Sequence, residues 1–170
     1  MPQNAFDDKL AFGGLVPDNL NAARHGWRHG DTHYFALIAL FEDTDAGGIV
    51  YHANYLNYAE RARSGWLRLI GVSQADQLYD DKLGFVVRKA EISYRSPAKL
   101  MDEIIVETTL LHASRARMSA RQIIRKAEKG KKISDCHIFA TVEVEIVMVN
   151  EAGRPSRMPP DILAKMQPSP

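Results

Sequence analysis

The sequence of 170 residues contains a single cysteine, Cys136. One cysteine cannot form an internal disulfide, so the hydrophobic core has to stabilise the fold. The sequence also lacks the cysteine-rich and His-Glu-x-x-His metal spacings, the Gly-x-Ser-x-Gly nucleophile elbow and the Walker phosphate loop. We therefore expect no metal and no cofactor, and any chemistry has to come from a less common arrangement of side chains.

Neither sign of charge dominates, and no long stretch is apolar throughout. The 22 Lys and Arg residues against 21 Asp and Glu residues give a formal net charge of +1, so we expect neither nucleic acid nor an anionic membrane as a partner. We find no signal peptide at the start and no run of about 18 apolar residues that would cross a membrane. These features predict a cytoplasmic protein without an integral membrane segment.

The beginning of the chain has little periodic pattern. Residues 1–30 contain isolated apolar residues such as Phe12 and Leu15, separated by glycine and proline. We interpret this stretch as a weakly ordered N-terminal extension and residues 31–170 as the folded domain. Deleting the extension is expected to cost little stability or activity.

A predicted strand and a predicted helix follow. The segment from Thr32 to Phe41 is apolar on both faces, which is typical of a buried strand. After a glycine turn, apolar residues recur at helical spacing between residues 55 and 70. Asn54 is the predicted N-cap of this helix, and Gly71 is the predicted left-handed residue that ends it.

Four segments with the alternation of β-strands complete the domain: residues 85–96, 103–113, 117–126 and 133–149. Their short connections predict a meander of antiparallel neighbours. Cys136 falls within the last segment, on its apolar face, and we interpret it as a buried small hydrophobe without a chemical role. The order of elements predicts an α+β domain in which a long helix packs against an antiparallel sheet of about five strands.

The candidate site lies between the first strand and the helix, in the segment Phe41-Glu42-Asp43-Thr44-Asp45-Ala46-Gly47-Gly48-Ile49-Val50-Tyr51-His52-Ala53-Asn54. It places carboxylates, a glycine turn and a helix entry close together. A carboxylate supplies a nucleophile or a base, and a helix N-terminus directs its positive dipole end at developing oxyanion charge. Acyl transfer needs both. Taken alone, Asp45 is more typical of an Asx turn than of a catalytic residue.

This segment, together with Glu60-Arg61-Ala62-Arg63, resembles the 4-hydroxybenzoyl-CoA thioesterase family of hotdog-fold proteins. The histidine at position 52 is most similar to the Tol-Pal-associated acyl-CoA thioesterase branch. The resemblance implies a hotdog fold, in which an antiparallel sheet wraps a long central helix, and hydrolysis of acyl-CoA thioesters. It also implies a homodimer with composite sites, or a homotetramer built from two dimers. An acyl carrier protein is a further candidate partner.

The resemblance also implies roles for individual residues. Asp45 matches the catalytic aspartate, which acts either as nucleophile on the thioester carbonyl or as base on a water. The backbone near Tyr51 and His52 is the implied oxyanion donor, and Gly47 and Gly48 let the substrate approach the main chain. The His52 side chain has several open roles: it could orient substrate or water, bond Asp45, or only satisfy the backbone at the helix start.

Two further sets of residues are weaker candidates. Glu60 is a secondary catalytic candidate because some related hotdog enzymes use a glutamate on the helix. Arg117, Arg121 and Arg125 are predicted to share one face of a strand, within a basic stretch that is otherwise typical of a solvated surface. Arg117 and Arg121 are the predicted substrate-binding residues, because the phosphates of CoA need cationic surface outside the acyl site.

Two other functions stay open. A hotdog module could bind acyl-CoA or an acyl carrier protein without hydrolysing it, since fold does not fix function. The pair Asp43 and Asp45 after a strand also resembles a magnesium-dependent aspartyl phosphatase. That second reading predicts alternating strands and helices downstream, whereas this sequence predicts consecutive strands.

Overall fold

The computed structural model describes residues 25–166. The strands are β1 (Trp27–His29), β2 (Thr32–Ile38), β3 (Leu83–Tyr94), β4 (Glu103–Ala113), β5 (Met118–Lys126), β6 (Ile138–Asn150) and β7 (Pro155–Ser156). The helices are α1 (Asn54–Leu69), α2 (Gln74–Tyr79) and α3 (Pro160–Lys165), with single 3₁₀ turns at Phe41–Asp43 and Ile133–Asp135. The predicted α+β hotdog fold, a long helix against one antiparallel sheet, is confirmed. None of the helices within residues 25–166 has the length and apolar character needed to cross a membrane.

The strands form one sheet in the order β1-β2-β4-β5-β6-β3, with β7 paired to β6. The predicted meander is correct for β4, β5 and β6 but wrong for β3, which pairs with β6 and not with β4. The reason lies in the connection from β3 to β4, which is not a hairpin. It docks instead on the segment before α1, where the Val50 N–H donates to the Ala98 carbonyl at 2.8 Å.

Helix α1 forms where the apolar spacing predicts it, and it buries residues such as Tyr58 and Ala62 against the sheet. Its end is also as predicted: Gly71 has φ +74°, and the Gly71 N–H donates to the Arg68 carbonyl at 3.1 Å. Its start differs from the prediction, because the N-cap is Ala53 and Asn54 is the first helical residue. The first turn of the helix therefore has no side-chain cap.

The folded part begins earlier than residue 31. Trp27 in β1 is buried and pairs with Tyr34 of β2, so at least residues 27–29 of the stretch interpreted as an extension belong to the sheet. The prediction for Phe12, Leu15 and the rest of residues 1–24 lies outside the described residues. The boundary between the extension and the folded domain therefore lies before β1, and not after residue 30 as predicted.

Cys136 is buried, as predicted, but it does not lie within a strand. It follows the 3₁₀ turn at Ile133–Asp135, and β6 begins only at Ile138. Together with Trp27 and Ile105 it belongs to a smaller second hydrophobic cluster. The alternating pattern of residues 133–137 predicts the beginning of a strand, and this prediction is wrong because the segment forms a 3₁₀ turn and a connection.

His33 of β2 is a buried histidine with a consequence for stability. Its Nε2 lies 2.8 Å from the His25 carbonyl oxygen, and burial lowers the pKa of His33 from 6.5 to about 4. The unfolded chain takes up a proton near pH 6.5, whereas the folded chain resists it until about pH 4. The stability contributed by neutral His33 is therefore complete above pH 6.5 and is lost as the pH falls toward 4.

We predict that the free energy of unfolding falls by up to about 3 kcal/mol across this window because of His33 alone. Urea unfolding at a series of pH values measures the loss. A His33→Gln variant, which cannot titrate, should be less stable at neutral pH and show a flatter dependence on pH. An unchanged slope in that variant would assign the acid sensitivity to other groups.

Candidate active site

The residues before α1 form a small antiparallel ladder that positions the candidate site. The Tyr51 N–H donates to the Asp43 carbonyl at 2.8 Å, and the Asp45 N–H donates to the Ile49 carbonyl at 2.9 Å. Between them, residues 44 and 50 form a β-bridge. Gly48, with φ +73°, closes the turn. The ladder therefore fixes Asp45 at the base of a tight turn, beside the start of helix α1.

The Asp45 side chain is exposed and forms an Asx turn, because its Oδ1 accepts a hydrogen bond from the Gly47 N–H at 2.8 Å. A Cβ on Gly47 would lie 3.0 Å from that same oxygen, so this position favours glycine. The second oxygen, Oδ2, accepts no hydrogen bond from any residue between 25 and 166. The Asx turn thus orients the carboxylate while leaving one oxygen available.

Asp43 has a supporting role, as predicted from its place in the turn. It is buried, its Oδ2 accepts a hydrogen bond from the Leu40 N–H at 2.8 Å, and its carbonyl accepts one from the Asn54 side-chain amide at 2.9 Å. Burial, with a further contribution from the Asp43 carboxylate, raises the pKa of Tyr58. Asp43 therefore ties the ladder to α1 and does not face solvent.

The helix entry presents backbone N–H donors without an acceptor among residues 25–166, but the Tyr51 N–H that the resemblance implied is not among them. The Tyr51 N–H donates to the Asp43 carbonyl in the ladder. The prediction that Tyr51 is an oxyanion donor is therefore wrong. The N–H groups of His52 and Ala53 have no acceptor within the described part of the chain. Ala53 provides no side-chain cap, and both residues are exposed, so these two donors lie unoccupied at the positive end of the α1 dipole.

His52 is held through its backbone and not through its imidazole. The Tyr94 hydroxyl donates to the His52 carbonyl at 2.9 Å, and the His52 ring lies 4.3 Å from the Tyr51 ring, centroid to centroid. No hydrogen bond joins His52 to Asp45 among residues 25–166. The imidazole is exposed, so it is free to meet a ligand or a partner chain.

Sequence reasoning missed the residues that brace this helix entry. The Tyr55 hydroxyl accepts a hydrogen bond from the Ala98 N–H at 2.8 Å, and its ring packs on Tyr94 with centroids 5.6 Å apart. Both contacts depend on the crossover from β3 to β4. Since the sequence was interpreted as a simple meander, no local signal pointed to them.

Glu60 is engaged as the counter-ion of a buried arginine. Its Oε2 accepts a short hydrogen bond from the guanidinium of Arg63, and its Oε1 lies 3.3 Å from the Ser64 hydroxyl. A carboxylate that compensates a buried charge is costly to divert to chemistry. The arrangement supports a structural role for Glu60.

The three predicted arginines do not form one open set. Arg117 pairs with Glu145 at 3.3 Å and Arg121 pairs with Glu143 at 2.9 Å, whereas Arg125 is buried in an ion pair with Glu107. The prediction that the three arginines share one open face is therefore wrong for Arg125, which also donates to the Cys136 carbonyl at 3.0 Å. Arg121 faces away from α1, because its neighbour Gln122 faces the helix.

Comparison with known proteins defines the class. Residues 39–166 match the sequence model of the thioesterase-like superfamily, and this chain belongs to that superfamily. The match includes the Asp45 turn, the whole of α1 and the central strands. The resemblance to 4-hydroxybenzoyl-CoA thioesterases is thereby confirmed at the level of the family.

Individual relatives narrow the comparison. The acyl-CoA thioester hydrolase YbgC of Escherichia coli O6:H1 is 34% identical over 128 residues, which cover 75% of this chain and 90% of that protein. The acyl-CoA thioesterase YbgC of Haemophilus influenzae is 47% identical over 74 residues, which cover 44% of this chain and 54% of that protein. The alignment with the higher identity thus spans about half of the Haemophilus influenzae protein, whereas the longer alignment spans most of the Escherichia coli protein.

Solved structures confirm the architecture. The 4-hydroxybenzoyl CoA thioesterase from Pseudomonas sp. strain CBS-3 superimposes with a TM-score of 0.71 at 18% identity, over 79% of this chain and 99% of that one. At this identity the likeness establishes the hotdog fold alone. The chemistry has to be argued from the residues of this chain.

Proposed function

We propose that this chain hydrolyses acyl-CoA thioesters at the Asp45 turn. One observation carries the proposal: the short ladder that fixes Asp45, with its free Oδ2, leads directly into the open N–H groups of His52 and Ala53. The names of the YbgC relatives, acyl-CoA thioesterase and acyl-CoA thioester hydrolase, support the same substrate class.

The arrangement supports two routes through the same oxyanion. In the first, Asp45 Oδ2 attacks the thioester carbonyl carbon, CoA leaves as thiolate, and water then hydrolyses the mixed anhydride. In the second, Asp45 removes a proton from a water that attacks the same carbon, and the thiolate leaves from the tetrahedral intermediate. In both routes the His52 and Ala53 N–H groups stabilise the oxyanion, and one such donor contributes on the order of 10²-fold in rate.

A homodimer would complete this site. Strand β3, of 12 residues, lies at an edge of the sheet, and Val86 and Val87 on it are 45% and 41% exposed. A long, exposed edge strand is a template for pairing with a second copy. Because Tyr94 at the end of β3 contacts His52, a strand paired to β3 would lie near the helix entry and enclose the exposed Asp45. Two such dimers would form a homotetramer.

Release of free thiol from a panel of acyl-CoA esters tests the proposed hydrolysis. A hydrolase turns over at least one member of the panel many times per subunit. A non-catalytic binding module would instead be stabilised against heat by CoA while releasing no thiol. Adding an acylated carrier protein to the panel tests the second candidate acyl donor.

The alternating strands and helices expected of an aspartyl phosphatase are not found between residues 25 and 166. A cytoplasmic location remains a prediction.

Arg117 and Arg121 are proposed to contribute to binding of the CoA phosphates. Each would have to exchange its present carboxylate partner, Glu145 or Glu143, for a phosphate. Exchanging one exposed partner for another changes the binding free energy by less than about 1 kcal/mol. We therefore predict that Arg117→Ala and Arg121→Ala raise KM for acyl-CoA by up to about fivefold.

The control substrate is a short thioester that lacks the nucleotide and therefore has no phosphates to bind. Its KM should not change in either arginine variant. Raising the ionic strength should reproduce the effect on acyl-CoA in the wild type. Equal losses on both substrates would place these arginines in the structure and not in recognition.

A further inference from the structure

Three neighbouring strands carry polar side chains at one level beneath α1. His33, Thr108 and Gln122 are paired in register across β2, β4 and β5, and they are 1%, 3% and 0% exposed. Polar groups in a core are destabilising unless they are hydrogen-bonded. This buried polar row therefore has to be explained by the contacts that it makes.

Gln122 is the member of the row that holds the helix. Its Nε2 donates to the Ala59 carbonyl at 2.9 Å and to the Thr108 hydroxyl at 3.0 Å. Its Oε1 accepts a hydrogen bond from Arg63 Nη1 at 2.6 Å. Ala59 and Arg63 are one helical turn apart, so a single amide from the sheet binds α1 at two levels.

These contacts make the axial position of α1 specific. Helix α1 also buries Tyr58, Ala59 and Ala62 against the sheet, but apolar packing is non-directional and tolerates small displacements, whereas a hydrogen bond requires a defined distance and angle. A shift of one residue moves a helix by about 1.5 Å along its axis. That shift would separate Gln122 from both partners and leave the buried Arg63 with an unmatched donor, which is strongly unfavourable.

We propose that Gln122 is a positioning residue for the reaction. By fixing Ala59 and Arg63 it sets where the N-terminus of α1 lies, and thereby the distance between the N–H groups of His52 and Ala53 and the Asp45 carboxylate. The ladder ties Asp45 to the start of α1 through Asp43, and Gln122 fixes the helix further along, so the His52 and Ala53 N–H groups keep their place only if the two attachments agree. This inference rests on the proposed thioesterase function.

Gln122→Met tests the role, because Met keeps the volume and removes the amide. We expect kcat for acyl-CoA to fall on the order of tenfold, since small displacements of aligned groups are costly in rate. KM should stay within about twofold, because Gln122 does not touch the substrate. The free energy of unfolding should also fall.

Val142→Ala is the matched control for that loss of stability. Val142 is fully buried and pairs with Gln122 in register on β6, but it makes no hydrogen bond to α1. It should lose stability and keep kcat. The double variant Gln122→Met with Arg63→Met removes the donor that Gln122→Met leaves unmatched, and it should recover stability without recovering kcat. A kcat in Gln122→Met equal to that of Val142→Ala at similar stability would overturn the proposal.

A readout independent of turnover separates this inference from the proposed function. The amide resonances of His52 and Ala53 in ¹⁵N–¹H spectra should shift in Gln122→Met, while Val142→Ala leaves them unchanged. If the wild type releases no thiol from any acyl-CoA, the proposed function fails, yet these amides still decide whether Gln122 positions the helix. Unchanged His52 and Ala53 amides in Gln122→Met would refute the positioning role.

Discussion

Replacing Asp45 by Asn is expected to lower kcat for acyl-CoA hydrolysis by on the order of 10² or more. The amide oxygen of Asn can still accept the hydrogen bond from the Gly47 N–H that the Asp45 Oδ1 accepts at 2.8 Å, so the turn should be retained. What is lost is the negative charge on the free oxygen. Initial rates of thiol release measure the effect, with circular dichroism and sedimentation to show that the fold and the assembly are unchanged.

Asp43→Asn is the matched control, because Asp43 lies in the same turn but is buried and bonded to the Leu40 N–H. It should cost stability, on the order of 1 kcal/mol, with a much smaller effect on kcat. His52→Ala should give an intermediate loss if the imidazole only orients the substrate. A folded Asp45→Asn protein with near-wild-type turnover would shift attention to Glu60, although that carboxylate already pairs with Arg63.

Val87→Lys is expected to dissociate the proposed dimer and to reduce turnover on the order of 10²-fold. Val87 is 41% exposed on the edge strand β3, and charges placed on an edge strand oppose pairing with another chain. Activity should fall with the assembly because a composite site loses its alignment. Sedimentation velocity at micromolar concentration, combined with thiol release, measures both effects on one sample.

Leu111→Lys provides the comparison for that variant. Leu111 is 48% exposed on β4, which is an interior strand of the sheet, so a lysine there should leave assembly and turnover unchanged. A monomeric wild type with full activity would show that the site is complete within one chain. The argument for a composite site would then be wrong.

The features predicted correctly are those that local pattern determines. Helix α1 follows from the spacing of its apolar residues, and its end follows from Gly71, whose φ of +74° is readily adopted by glycine. The turn at Asp45 follows from a short motif whose residues are contiguous in the chain. In each case the determining contacts lie within a few residues, so the sequence contains the information.

The features predicted wrongly depend on contacts between distant residues. Alternation shows that β3 is a strand, but not that it pairs with β6 across the sheet. Without that pairing, the contacts of Tyr94 with Tyr55 and His52 could not be foreseen. The occupied Tyr51 N–H has a different origin, because it depends on pairing across the turn with Asp43.

The sequence contains a signal for the buried contact of Gln122, because a polar residue interrupts an apolar series on β5. Gln122 alternates with Met118, Ala120 and Ile124, which are all buried on the helix-facing side of β5. A polar residue in such a series predicts either an interrupted strand or a buried polar contact. The structure shows the second, and the partners, Ala59 and Arg63, come from a helix distant in sequence.

A single-turnover experiment in ¹⁸O-labelled water tests most directly whether the Asp45 turn hydrolyses thioesters. Enzyme in excess is mixed with an acyl-CoA that the panel identifies, quenched in acid, and analysed for CoA and for free acid. The account predicts equal amounts of both products from the wild type, with label in the free acid or in the Asp45 carboxylate, and almost none from Asp45→Asn over the same time. Equal product from the two proteins, or release of CoA with no free acid even after the reaction is complete, would contradict it.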